Sequence, residues 1–163
     1  MEKLDLNPNI RAFLDMLAVS ELGQGLIDIS DNGYDVIVGS TAAKPILFND
    51  YSDHPRKLIE LKIKGNTVKS TAAGRYQILS RFFDAYRVQL RLPDFGPDSQ
   101  DQIAIQLIKE CKALDLIKKG HIEQAIAACR SRWASLPGAG YGQHENDLKK
   151  LAKVWFDKGG KIL

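Results

Sequence analysis

The helical periodicity of this sequence breaks down once, between Asn32 and Ser70, and that break decides the architecture. On its N-terminal side Ile10, Phe13, Leu14 and Leu17 recur at i, i+3, i+4 and i+7, an apolar stripe that one face of a helix would bury. Asn7 suits the cap of that helix and Pro8 its first position, where a missing N–H costs nothing. The helix is expected to end between Ser20 and Gly25. After the break the stripes resume: Leu79, Phe82, Phe83, Tyr86 and Leu90; Ile103, Leu107, Ile108 and Cys111; Ile122, Ala125, Ile126, Cys129 and Trp133; Leu148, Leu151, Ala152 and Trp155. Ser99 with Gln102 reads as a capping box for the second of these, and Gly159-Gly160 as a stop for the last.

The interruption itself has strand and turn chemistry. Asn32-Gly33 is a turn signal, and Gly33–Gly39 (GYDVIVG) is a β-branched run bounded by glycines, which predicts a strand. Further short strands are expected around Ile46–Phe48 and Leu61–Ile63. Helix, small β region, helical bundle is an α+β layout with segregated parts. With 163 residues, no repeat and no linker-like stretch, residues 1–163 read as one domain.

Charge narrows the partners. The formal net charge is +3, but Lys and Arg are interleaved with acids rather than gathered in a stripe, so no nucleic acid is expected as a ligand. No apolar run is long enough to span a membrane, and the N-terminal MEKLDLNPNI lacks the basic and apolar regions of a signal peptide, so synthesis in the cytoplasm is expected. Cys111 and Cys129 fall on apolar helical positions and read as a reduced, buried pair, with a disulfide left open.

Several residues carry potential chemistry. Glu21 follows Leu17 by four and Leu14 by seven, which projects it onto the apolar face of the first helix. There, burial would hold the carboxyl protonated, and a protonated acid is what the leaving oxygen of a glycoside requires. The alternative is that the helix frays first and the carboxylate meets solvent; periodicity does not choose between them. In Ser70–Ile78 (STAAGRYQI), Gly74 lets a ligand approach the backbone and the Gln77 amide can donate to and accept from a sugar, or the segment is a helix start with Tyr76 in the core. Gly138–Gln143 (GAGYGQ) presents Tyr141 between glycines, as a sugar-stacking wall or as an ordinary connection. Asp31, Asp35, Asp50 and Asp53 could supply the second carboxylate of a hydrolase, or cap turns. His54, His121 and His144 match no metal-ligand spacing, so neither metal nor other cofactor is expected.

Taken together, AFLDMLAVSE (Ala12–Glu21), GYDVIVG (Gly33–Gly39), DYSDHPRKL (Asp50–Leu58), AGRYQIL (Ala73–Leu79) and WASLPGAGYGQ (Trp133–Gln143) resemble the lambda-type phage endolysins, in that family's order. The resemblance implies a lysozyme-like α+β fold, a mainly helical lobe and a small β lobe with a cleft between them. It implies a lytic transglycosylase that cuts the MurNAc–GlcNAc β-1,4 bond of peptidoglycan and leaves 1,6-anhydro-MurNAc. Glu21 would be the acid and base, with Gln77, Tyr141, Tyr76, Asp35 and Ser20 against the glycan. A monomer is implied, reaching the periplasmic wall from the host cytoplasm once a holin-type partner has permeabilised the membrane, without itself inserting stably. Ser20-Glu21 and Ala73–Gln77 also resemble, loosely, the Glu-Ser and Gly-Leu-Met-Gln signatures of bacterial transglycosylases. The family usually has Gly after the catalytic Glu; here Leu22 stands there, and residues 22–32 and 40–49 match poorly. Competing readings are a muramidase of the same fold, a zinc amidase of the cell wall, and a glycan-binding protein without turnover.

Overall fold

The computed structural model describes residues 7–140 and 145–163. In chain order the elements are α1 (Pro8–Leu22), α2 (Gln24–Asp28), β1 (Ile59–Ile63), β2 (Asn66–Ser70), α3 (Ser80–Leu90), α4 (Pro97–Glu110), α5 (Leu114–Lys118), α6 (Ile122–Cys129) and α7 (Leu148–Asp157). They form two compact units, one from the described residues up to Ser20 and from Ala104 onward, the other from Glu21 to Ile103. Among the described residues the strands lie in the second unit, where they stand together between α2 and α3 in the chain, the α+β order expected.

The first unit is built on α1. The Asn7 side chain accepts from Asn9 N at 2.8 Å and Pro8 opens the helix, which satisfies an amide that has no partner inside the helix. Phe13, Met16 and Leu17 are wholly buried, as are Ile117, Ile126, Leu151 and Trp155. Asn9 is the buried polar joint. Its Nδ2 donates to Lys118 O at 3.0 Å and Lys161 O at 2.9 Å, its Oδ1 accepts from Lys161 N at 2.8 Å, and its carbonyl accepts from Trp155 Nε1 at 3.1 Å. Gly160 has no side chain because the Trp155 indole occupies the space one would need.

In the second unit β1 and β2 form an antiparallel hairpin, Ile59 opposite Ser70 and Ile63 opposite Asn66. Its two-residue loop, Lys64-Gly65, has φ of 51° and 80°, the positive pair that matches the twist of a hairpin. The strand expected around Leu61–Ile63 is therefore present. Gly33–Gly39 departs from expectation: only Val36 and Ile37 make β-bridges, to Leu47 and to Ala73. Turns close it at both ends, Tyr34 N to Asp31 O at 2.9 Å and Ser40 N to Ile37 O at 3.2 Å, so no strand length remains. The Ile46–Phe48 segment likewise contributes one bridge, at Leu47. Val36 and Ile37 are both buried, as expected of an apolar run covered on two sides.

The helical stripes are partly corrected. Phe83 and Tyr86 of α3 are buried but Phe82 is 39% exposed, and Leu79 lies one residue before the helix. The proposed Ser99–Gln102 box is not the start of α4. That helix begins at Pro97, and Asp94 Oδ1 accepts from Gly96 N at 2.9 Å and Ser99 Oγ at 2.8 Å. Cys111 and Trp133 extend their stripes past the ends of α4 and α6. The five-residue helices α2 and α5 are too short to show a period in the sequence.

Candidate active site

Glu21 occupies the last turn of α1 and is half-buried, so the helix does reach it. Gly23, at φ 80°, ends that run and opens α2. Leu22, which stands where the family has Gly, turns its Cδ1 toward Gly33, within 2.7 Å of where a Gly33 Cβ would lie. The position is thus filled by a side chain packed under the Asn32-Gly33 turn, and Gly33, at φ 86°, must stay small beneath it.

Gln77 and Tyr76 lie on a turn, not at a helix start. Ala73 and Ile78 exchange backbone hydrogen bonds of 2.8 and 3.1 Å, and Gln77 takes φ 52°. The Gln77 Nε2 donates to Gly74 O at 2.8 Å and to Val36 O at 3.4 Å. Gly74 N also donates to Val36 O, at 2.7 Å, so this turn is joined to the residue beside Asp35. Tyr76 is buried; its hydroxyl donates to Asp101 Oδ1 at 2.6 Å and accepts from Arg75 Nη1 at 3.0 Å. Tyr34 also donates to Asp101, at 2.9 Å. Burial pushes the Asp101 carboxyl above its usual range, and burial beside Asp101 pushes both tyrosine hydroxyls up. Gln100 completes the support, its Oε1 accepting from Arg75 N at 2.9 Å and its Nε2 donating to Tyr34 O and Phe95 O.

Asp35 is half-buried, and its Oδ1 accepts from Asp31 N at 2.9 Å, a turn-capping role. It also lines an open recess of about 570 Å³ with Leu47, Phe48, Asp50, Asp53, His54 and Lys57. Asp50 is held below the usual carboxylate range by hydrogen bonds from Ser52, and Asp53 by the Arg56 guanidinium. His54 is a core residue: Nε2 meets Ile78 O at 2.8 Å, Nδ1 accepts from Arg56 N at 2.9 Å, and its ring is 4.8 Å from that of Phe95. Burial pushes its pKa down. Among the described residues no three His, Cys, Asp or Glu gather as a metal site.

Ser20 belongs to the first unit and is buried. Its Oγ lies 2.7 Å from Ser135 Oγ. Asn146 Nδ2 donates to Ser20 O at 3.0 Å and to Ser20 Oγ at 3.2 Å, and Asn146 N donates to Ser135 O at 2.8 Å. The Ser20 carbonyl is among the last of α1, where no helical partner is available, so the Asn146 amide caps the turn that carries Glu21. Glu145 braces the same stretch: its two carboxylate oxygens accept from Gly138 N at 2.9 Å and Gly140 N at 3.0 Å. Tyr141 lies outside the described residues.

The structure thus joins Tyr76, Gln77 and Asp35 through Val36, and sets Ser20 beside Glu21 on α1. Sequence reasoning missed Asn146, Ser135 and Asp101. The first two act on Ser20 from more than a hundred residues away and leave no periodic trace; Asp101 sits inside α4, as one more polar residue of a helix.

A family model described as endolysin matches residues 11–162. The chain is 54% identical to the endolysin of Escherichia phage P2 across 98% of each chain. It is 52% identical to that of Escherichia phage lambda, across 98% of this chain and 96% of the relative. Among solved structures, bacteriophage lambda lysozyme complexed with a chitohexasaccharide superposes with a TM-score of 0.87 at 51% identity, covering 99% of this chain and all of that one. The α+β fold is therefore lysozyme-like, and the chain belongs to the endolysin family.

Proposed function

We propose that residues 1–163 act as a single catalytic domain, a lytic transglycosylase that cleaves the MurNAc–GlcNAc bond of peptidoglycan with Glu21 as its acid and base. The observation that carries the reading is the position of Glu21 on the last turn of α1, in a chain 51% identical to a lysozyme solved with a chitohexasaccharide. Glu21 is half-buried there, and a single carboxyl group can both give and take back the proton that this reaction moves. Glu21 protonates the leaving oxygen. As the carboxylate it then draws the proton from the muramic acid C6 hydroxyl, which attacks its own anomeric carbon. Gln77, Asp35, Tyr76, Tyr141 and Ser20 are assigned to the glycan side of the reaction, Tyr76 and Ser20 acting through the hydrogen bonds that fix their neighbours.

One carboxylate suffices because the nucleophile is already part of the substrate. A hydroxyl held at the reacting carbon has a large effective concentration and outcompetes water. The capping bond from Asp31 N to Asp35 supports this reading, since the acid best placed to be a second carboxylate has a structural task. Mass spectrometry of digested peptidoglycan tests it. The major muropeptides should be lighter than hydrolysis products by one water, about 18 mass units, and should resist borohydride, because the internal nucleophile leaves no reducing end. Reducible muramic acid ends would instead make the enzyme a muramidase, with Asp35 or a neighbour as second carboxylate.

We also propose that this enzyme acts as a monomer, is made in the host cytoplasm, and meets the wall only after a holin-type partner has breached the membrane. Its similarity to two phage endolysins along almost the whole chain supports this. Cells expressing it alone should keep their turbidity until the membrane is disrupted; prompt lysis behind sound membranes would overturn the dependence.

A further inference from the structure

Glu110, the last residue of α4, and Arg132, three residues past the end of α6, are joined by an ion pair of 3.7 Å. The ends of these two helices therefore lie side by side within the first unit. Between the paired residues the same juncture holds Cys111 and Cys129, whose thiols are in contact and uncrosslinked. Cys111 is half-exposed and Cys129 is fully buried. We infer that this pair is a built-in redox lock, closing to a Cys111–Cys129 disulfide when the protein meets a small-molecule disulfide oxidant.

The chemistry follows from the difference in exposure. Attack on a disulfide needs a thiolate that the oxidant can reach. Cys129 offers neither: burial and the facing thiol push its pKa above the usual range. Cys111 is therefore the entry point. Its thiolate attacks one sulfur of the oxidant RSSR, forming a mixed disulfide and releasing one thiolate RS⁻. Cys129 then gives its proton to that base and its sulfur attacks Cys111 Sγ, expelling the second RS⁻, which takes up the proton lost by Cys111. Two cysteine thiols are oxidised, one RSSR is reduced to two RSH, and the balance closes. The new bond ties residues 112–128, with α5 and α6, into a closed loop, which restricts the unfolded chain more than the folded one.

The experiment exposes the full chain to oxidised glutathione and reads intact mass, free thiols after denaturation, and melting temperature. The expected product is a monomer lighter by about two mass units with no free thiol, because exchange removes both thiol hydrogens. Its melting temperature should be raised by about 5–10 °C, reversibly with reductant. C129S should stop at a Cys111–glutathione adduct, and C111S should react far more slowly or not at all. Disulfide-linked dimers, a stable glutathione adduct on the wild-type chain, two persistent thiols, or an oxidised monomer that melts no higher than the reduced one would each overturn the lock.

Discussion

Glu21→Gln should lower peptidoglycan-lysing activity by about two to four orders of magnitude, the scale of acid–base catalysis. Gln keeps the size and polarity of the side chain and its capacity to accept a hydrogen bond, but has no carboxyl proton to transfer. The residue is half-buried at the end of α1 and Gln fills the same volume, so the exchange opens no cavity, and the variant should stay folded by circular dichroism. Turbidity loss of outer-membrane-permeabilised cells measures the rate. A folded variant that retains more than a tenth of wild-type activity would remove Glu21 from the role.

Trp155→Ala should have the largest effect on stability. The indole is fully buried, donates to Asn9 O at 3.1 Å, packs edge-on to Phe156 at 5.0 Å, and occupies the space that keeps Gly160 a glycine. Truncation leaves a large apolar void, which costs about 3–5 kcal/mol for an aromatic residue. Against a total stability of roughly 5–15 kcal/mol this is a large fraction, and the midpoint should fall by about 10–15 °C. Urea titration gives the free energy directly. Trp155→Phe, which keeps most of the volume and loses only the N–H donor, should cost well under half as much. Equal losses for the two variants would mean that the hydrogen bond, not the ring, carries the energy.

The long helices were legible because burial repeats with their period. Ile10, Phe13, Leu14 and Leu17 mark α1, and Asn7-Pro8 marks its start to the residue. Glu21 was legible as a position but not as a choice, since only the structure shows that the helix continues through Leu22. Where local pattern and tertiary pairing compete, the sequence misleads. Gly33–Gly39 has the composition of a strand, yet its neighbours Ile46–Phe48 and Ala72–Gly74 each reach it with only one or two bonds before a turn intervenes. The Ser99–Gln102 pattern is a true capping signature in the wrong place, overridden by Asp94 and by Pro97, which begins α4 earlier. The framework around the candidate site was the least visible part. Asp101 serves Tyr34 and Tyr76, and Asn146 serves Ser20, across separations in sequence that no periodicity encodes.

The bonds that Ser135, Glu145 and Asn146 make at the base of the glycine-rich segment divide the labour of that stretch between its ends and its middle. Glu145 accepts from the backbone amides of Gly138 and Gly140, and Asn146 donates to the carbonyl of Ser20. Two consecutive side chains thus stand in for main-chain partners on two separate stretches, and shortening either one would hand those backbone groups to water.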